Sequence, residues 1–228
     1  MDTKLILDFM KKLAVNNNTG WMAVNKKEYE KVKYEFSNLI QILIERLSLT
    51  DKSLIGLTSK ECIFKLNRDT RFSLDKRPYK EHMSAYIVNG GKKNFRAGYY
   101  FQIQPDGQSL VAGGVHIPPS DALLLIRKEI SNYGDELSKV LADSQFKLVF
   151  PELVGEKLKK VPKGFSPDDK YVEYLKLKSF DVISFYEDKQ VLDSQNLIDD
   201  VIEKFILMRP LNNFFNNSLV DYTFVPRR

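Results

Sequence analysis

Five basic side chains fall within thirteen residues, in the stretch RDTRFSLDKRPYK that spans 68–80. Arginine offers a rigid fork of N–H donors that matches a phosphate or carboxylate, and lysine offers a point charge. Arg68, Arg71, Lys76 and Lys80, with Arg77 among them, are therefore expected to line a site for a small anionic ligand. Asp69 and Asp75 would orient those cations, and Asp69 is a candidate for proton transfer. The same residues admit a plainer reading. Alternating arginines and aspartates form salt-bridge networks that pin loops, and such networks mimic active sites. Phe72, Leu74, Pro78 and Tyr79 are expected to anchor the stretch, which argues against disorder.

Other side chains could join that chemistry. His116 is a candidate general base, because imidazole titrates near neutral pH. A lone histidine on a sheet face is more often simply hydrogen-bonded. His82, beside the basic stretch, carries the same two readings. Tyr99 or Tyr100 would contact the rest of a ligand. Arg127 would reach the open end of the sheet, or snorkel to solvent. Lys163, between Pro162 and Gly164, would close a pocket or stand as a solvated turn residue. Trp21 is expected to pack over the junction of the first two helices rather than stack on a ligand. Gly113-Gly114 within a strand marks a bulge, or a point where another backbone or a ligand comes close.

Several chemistries have no residues to run on. Two distant histidines and one cysteine, Cys62, do not make a zinc site of the usual ligand types, so no metal is expected. One cysteine also forbids an intramolecular disulfide; its neighbours Ile63 and Phe64 suggest a strand, and an inert buried thiol is expected rather than a nucleophile. No phosphate loop, dinucleotide fingerprint, G-x-S-x-G elbow or H-E-x-x-H motif occurs, and no cofactor is expected. Nothing selects a pair of carboxylates for glycoside chemistry. The residues do not name a reaction.

Length and composition set the frame. With 228 residues, 43% hydrophobic and 29% charged, the chain can bury a core without disulfides or metal. MDTKLILDFMKKL has no signal-peptide pattern, and no run approaches the roughly eighteen apolar residues of a membrane span. A cytosolic protein without a membrane partner is expected. The net charge is +5, but it is uneven. Residues 60–96 carry ten basic and four acidic side chains, and residues 181–204 carry two and seven. Such asymmetry suits an anionic partner, or two regions that face each other.

The periodicity places these residues on elements. Leu5, Ile6, Phe9, Met10 and Leu13 share a helical face over 3–14, stopped by Asn16-Asn17-Asn18-Thr19-Gly20. Asn25 and Glu28 suggest a capping box for a second helix to about Leu47. Strands are expected at 63–67, 82–88, 95–104 and 109–117, the third with Tyr99, Phe101 and Ile103 on one face and Tyr100, Gln102 and Gln104 on the other. Asn89-Gly90-Gly91 and Pro105-Asp106-Gly107 supply turns. A helix should open at Ser120, with a shorter one near 135–141, a short strand at 147–150 and a long strand at 175–185. Helices at about 195–208 and 210–219, parted by Pro210, would finish the chain. The sum is one α+β domain over 1–228, an antiparallel meander covered by N-terminal, central and C-terminal helices.

The sequence also resembles the family catalogued as domain of unknown function 2461. The likeness rests on Asn16-Asn17 followed by Trp21 and Tyr29, then Arg68-Asp69-x-Arg71-Phe72 and Lys76-x-Pro78-Tyr79-Lys80. It continues through Gly98-Tyr99-Tyr100, Gly113-Gly114, Arg127 and Pro162-Lys163-Gly164. The resemblance implies a single α+β domain and brings no activity, substrate or catalytic residue.

Three functions are consistent with these residues. The leading one is a pocket for a small anionic ligand, with or without catalysis. The second is nucleic-acid binding, with Phe95, Tyr99, Tyr100 and Phe101 stacking bases between cations. Against it, Tyr99 and Phe101 share a face with Ile103, which reads as core. The third is a protein-interaction or scaffold role, with the acidic C-terminal region or the basic stretch as the contact surface, favoured by an exposed apolar patch beside either.

Overall fold

The computed structural model describes residues 1–222. Its elements run α1 (Thr3–Val15), α2 (Thr19–Val24), α3 (Lys26–Ser48), α4 (Ser59–Cys62), β1 (Met83–Ile87), β2 (Gly98–Ile103) and β3 (Ser109–Val115). They continue with α5 (Ser120–Ala142), α6 (Ser144–Val149), α7 (Val172–Leu175), β4 (Phe180–Tyr186), α8 (Asp188–Leu192) and α9 (Ser194–Asn217). The strands form one antiparallel meander in the order β1-β2-β3-β4, and the class is α+β. The chain gathers into two compact units. One holds Met1–Lys92, Tyr100–Val111 and Phe185–Glu203; the other holds Lys93–Tyr99, Ala112–Ser184 and the chain from Lys204 on.

In the first unit, α1 buries Ile6, Phe9, Met10 and Leu13, and α3 buries Val32, Phe36, Leu39, Ile40, Leu43 and Leu47. Phe9 meets Trp21 at 5.5 Å and Tyr29 at 5.8 Å between ring centroids, so Trp21 packs at the helix junction. The period-two pattern of β2 sends Phe101 inward, 6.5 Å from and nearly parallel to Phe36. Asp106 and Gly107 both take positive φ, at 62° and 69°, as the central pair of the β2–β3 hairpin turn. Asp106-Gly107 is thus the turning dipeptide.

Two expectations change in this unit. Residues 63–67 are not a strand. Glu61 closes a capping box on Thr58, which starts the short helix α4, and only isolated bridges Ile63 to Ala85 and Asn67 to Tyr79 follow. Asn25 does not cap α3. Its Nδ2 donates to the Trp21 carbonyl at the end of α2, a short helix hidden in what read as a turn cluster.

In the second unit, the α9 residues from Lys204 on run through Pro210 as one helix, not two. Proline removes one backbone bond. Phe205, Met208, Leu211 and Phe215 are all fully buried, and that packing holds the helix across the gap. Tyr99 packs on Phe205 at 5.2 Å between centroids. Residues 147–149 are helical and Phe150 ends the helix, so no strand forms there: Asp143 caps α6 through the Phe146 N–H. The helix near 135–141 is the second half of α5, beyond a single non-helical residue, Tyr133. A Cβ on the next residue, Gly134, would lie 2.4 Å from the Tyr171 ring, so glycine makes room for that ring. The long strand expected from 175 begins only at Phe180, after α7.

The end of β3 shows why its glycines are there. A Cβ on Gly113 would lie 2.6 Å from the Met208 sulfur, and one on Gly114 (φ 100°) would lie 1.9 Å from the Phe180 carbonyl oxygen. Close approach of the Met208 side chain at Gly113 and of the Phe180 backbone at Gly114 is the reason for the pair. The Gly114 N–H donates to Asn212 Oδ1 at 2.8 Å, and Asn212 Nδ2 donates to the Gly98 carbonyl at 3.0 Å. Asn212 is 2% exposed. Replacing it with leucine keeps the branching but puts larger methyl groups in place of the amide, and leaves one strand donor and one acceptor buried and unmet. We expect Asn212→Leu to cost about 3 kcal/mol and to lower the melting temperature by about 6–12 °C. An unchanged melting curve would show that the clamp is dispensable.

Candidate functional site

The basic stretch folds as a narrow hairpin-like loop. Lys80 N–H donates to Leu66 O at 2.9 Å, and Arg68 N–H donates to Pro78 O at 2.8 Å. Asn17 grips the stem at two points: its Nδ2 donates to the Tyr79 carbonyl at 3.0 Å, and its Oδ1 accepts from the Tyr79 N–H at 3.1 Å.

Inside the loop the charges largely satisfy one another. Arg71 forks onto Asp69 through Nε at 3.0 Å and Nη2 at 2.7 Å. Arg68 pairs with Asp75 at 2.5 Å. Arg77 bonds Asp75 at 2.8 Å and also meets Glu81. Lys76 donates to the Thr70 carbonyl at 3.0 Å. Hydrogen bonds from Arg71 hold the Asp69 carboxyl down at about 2, and those from Arg77 and Arg68 pull Asp75 further below the usual range. Asp69 is therefore held as the ionised partner of Arg71.

Phe72 and Leu74 are not anchors. They are 95% and 102% exposed at the tip. The Asn17 grip and the half-buried Pro78 and Tyr79 hold the loop instead.

The foot of the loop differs from its tip. The Lys80 ammonium is half-buried, 5.2 Å from the centroid of the Phe64 ring, with no carboxylate partner among the described residues. Burial pulls its pKa down. His82 follows two residues on. Burial first, and then Lys80, push its imidazole from 6.5 down to about 4, against a hydrogen bond with Gln104. The outer face of β2 completes the patch. Tyr100 donates to Gln102 Oε1 at 2.7 Å, and Gln102 Nε2 reaches Gln104 Oε1 at 2.8 Å and the Gln108 carbonyl at 3.1 Å. The Phe64 ring lies 6.5 Å from that of Tyr100. Burial raises the Tyr100 phenol, so it is a neutral donor.

The remaining candidates belong to the second unit. Tyr99 is buried in the core and offers no ligand contact. With Phe101 also buried and Phe95 edge-on to Tyr222 at 6.3 Å, the expected row of stacking rings is not on the surface. Arg127 does not snorkel. It is 9% exposed, its Nη2 donates to the Leu177 carbonyl at 3.0 Å, and its Nε has no partner among the described residues. Lys163 is exposed on its turn. His116, 75% exposed, bonds Asp181 through Nδ1 at 2.9 Å. The neighbouring Ile117 takes φ 44°, and its N–H donates to Ser179 Oγ at 3.1 Å. This pair orients an imidazole, but among the described residues no hydroxyl or thiol nucleophile is bonded to it. Cys62 is buried and its thiol is pushed up to about 11, which leaves it inert. An open cavity of about 260 Å³ near the end of α9, lined by Leu125, Asn217, Ser218, Val220, Asp221 and Tyr222, holds none of the expected binding residues.

Phe64, Gln102 and Gln104 did not stand out in the sequence as binding residues, although the alternation of β2 already put both glutamines on the outer face. Asp181 lies 65 residues from His116 and gives no local signal.

The His82 shift has a measurable consequence. Its folded pKa lies below its unfolded one, so the unfolded chain binds the proton more tightly between pH 4 and 6.5. That contribution is complete above pH 6.5 and is lost as pH falls through 4. It amounts to something on the order of 2–3 kcal/mol. In His82→Gln, denaturation followed from pH 7 to 4 should lose that part of the pH dependence. An identical slope in the variant would mean that His82 is not shifted.

Among the described residues no helix is long and apolar enough to cross a membrane. No curated protein matches the chain, and no solved structure does. The family model described as conserved hypothetical protein (DUF2461) matches residues 5–214. That span takes in the basic hairpin, the outer face of β2 and nearly all of α9, and the chain belongs to this family.

Proposed function

We propose that the protein binds a small anionic ligand, bearing phosphate or carboxylate, at the foot of the basic hairpin rather than along its tip. The observation that carries this reading is Lys80, a half-buried ammonium with an aromatic ring beneath it and no counter-charge among the described residues. Desolvating a cation without a partner is costly, and an anion supplied from outside removes that cost. The nearby side chains suit such a ligand. His82, held neutral, offers one ring N–H, and Tyr100 and Gln104 stand beside it as uncharged polar groups. Phe64 and Tyr100 give an apolar or ring portion of the ligand a surface to lie on. A cytoplasmic pool of phosphorylated or carboxylated metabolites is where this ligand would be met. Among the described residues no activated nucleophile or matched acid and base stands in the patch, so the proposal is binding.

Arg71 is the weaker candidate here, since its Nε and Nη2 already bond Asp69. Thermal stability against sugar phosphates, nucleotides and organic acids tests the assignment. A ligand at about a hundred times its dissociation constant should stabilise by about 2.7 kcal/mol, a shift of roughly 5–10 °C. Lys80→Met should abolish the shift while leaving the unliganded protein as stable or more so. Arg71→Ala should retain it. A shift lost in Arg71→Ala but kept in Lys80→Met would place the ligand at the tip and overturn this reading.

A further inference from the structure

The tip of the hairpin carries a feature that the ligand site leaves unexplained. Phe72 and Leu74 stand 95% and 102% exposed, with one residue between them, on a stem that is rigidly held. The Asn67–Tyr79 bridge, the two bonds from Asn17 and the Arg68–Asp75 ion pair fix that stem. Soluble proteins expose single apolar side chains freely, but a phenylalanine and a leucine together at the apex of an anchored loop are a feature to explain. The surrounding charge is positive. Residues 65–81 hold six basic and three acidic side chains, a surplus of three. The Arg71 guanidinium lies 5.8 Å from the Phe72 ring centroid, and Lys76 is exposed beside the tip.

We infer that this tip inserts into an anionic lipid surface, with Phe72 and Leu74 entering the interface and Arg71, Lys76 and Arg77 lying at the level of the phosphates. Area decides against a protein partner. Even fully covered, an aromatic side chain buries about 150–250 Å². Two side chains therefore fall far short of the roughly 1,200–2,000 Å² of a stable protein interface. A membrane asks for depth, about 5–10 Å, rather than width, and a convex tip supplies depth. The basic surplus complements the negative cytoplasmic leaflet, and apolar insertion combined with basic attraction is the usual two-part signal of reversible peripheral binding. This mode of attachment needs no membrane-crossing helix.

The test is co-sedimentation of the full chain with vesicles of phosphatidylcholine alone or with about 30 mol% phosphatidylserine. Binding to the anionic vesicles is expected to weaken with salt, and binding to the neutral ones to be slight. Phe72→Ser/Leu74→Ser should lower the vesicle partition about tenfold without changing the melting curve, because neither side chain packs on the fold. A second reporter uses the fact that the chain has a single tryptophan. Phe72→Trp in a Trp21→Phe background should shift its emission to the blue on anionic vesicles. No binding to anionic vesicles, equal binding by the serine variant, or an unshifted emission from the Phe72→Trp reporter would each overturn the proposal. So would a self-association, seen by sedimentation equilibrium, that the serine variant abolishes, since the tip would then dock on a second copy. Lys80→Met separates this inference from the ligand site. It abolishes the thermal shift with small anions but leaves the blue shift of the Phe72→Trp reporter in place.

Discussion

The fold depends on asparagine side chains standing in for backbone. Asn212 offers an acceptor to Gly114 N–H and a donor to Gly98 C=O, so one buried amide ties α9 to both β2 and β3. Asn216, one turn on, does the same for both backbone groups of Ala97. Asn17 does it for both groups of Tyr79. The need arises from close packing. At Gly113 and Gly114 the strand is pressed against Met208 and the Phe180 carbonyl with no room for a Cβ. At φ 100° the Gly114 N–H finds its acceptor on the Asn212 side chain. A buried donor left unmet costs more than a typical hydrogen bond contributes, so the amide and the glycines form one constraint.

The same accounting separates charge from site in the basic hairpin. Density of arginine and lysine was the first signal, yet most of that charge is spent within the loop. Exposed ion pairs contribute little stability, typically about 0–1 kcal/mol. They matter here because they occupy donors. A ligand carboxylate at Arg71 would have to displace Asp69, two residues away and held at a high effective concentration by the chain. A cation with no internal partner asks for nothing to be displaced.

What could be read from the sequence was what local periodicity encodes. The buried faces of α1 and α3, the alternation of β2 and the positive-φ turn at Gly107 follow from spacing alone. What could not be read was decided over long range or by a single side chain. Pro210 forbids a helix only if packing does not outvote it, and Phe205, Met208, Leu211 and Phe215 outvote it. The turn-forming asparagines at 16–18 hid both α2 and the grip on Tyr79, 62 residues away. Phe72 and Leu74 read as anchors because apolar residues in a loop usually pack. Nothing in a one-dimensional pattern says that the loop is too narrow to fold back on them. The family match adds no chemistry, so the site rests on geometry.

Among the described residues, burial pulls down the pKa of two cations, Lys80 and Arg127. They are not equivalent. Arg127 spends a donor on the Leu177 carbonyl and so ties α5 to the segment leading into β4. Arginine also keeps its charge under burial, so it can serve as a structural tie. Lysine is the more easily discharged of the two, and Lys80 has only a ring for company. A structural role would be better filled there by methionine or leucine. A charge kept where neither packing nor an internal partner needs it is best explained by something outside the chain. That is why the ligand reading belongs to the foot of the hairpin, and why the Phe72–Leu74 tip calls for a separate explanation.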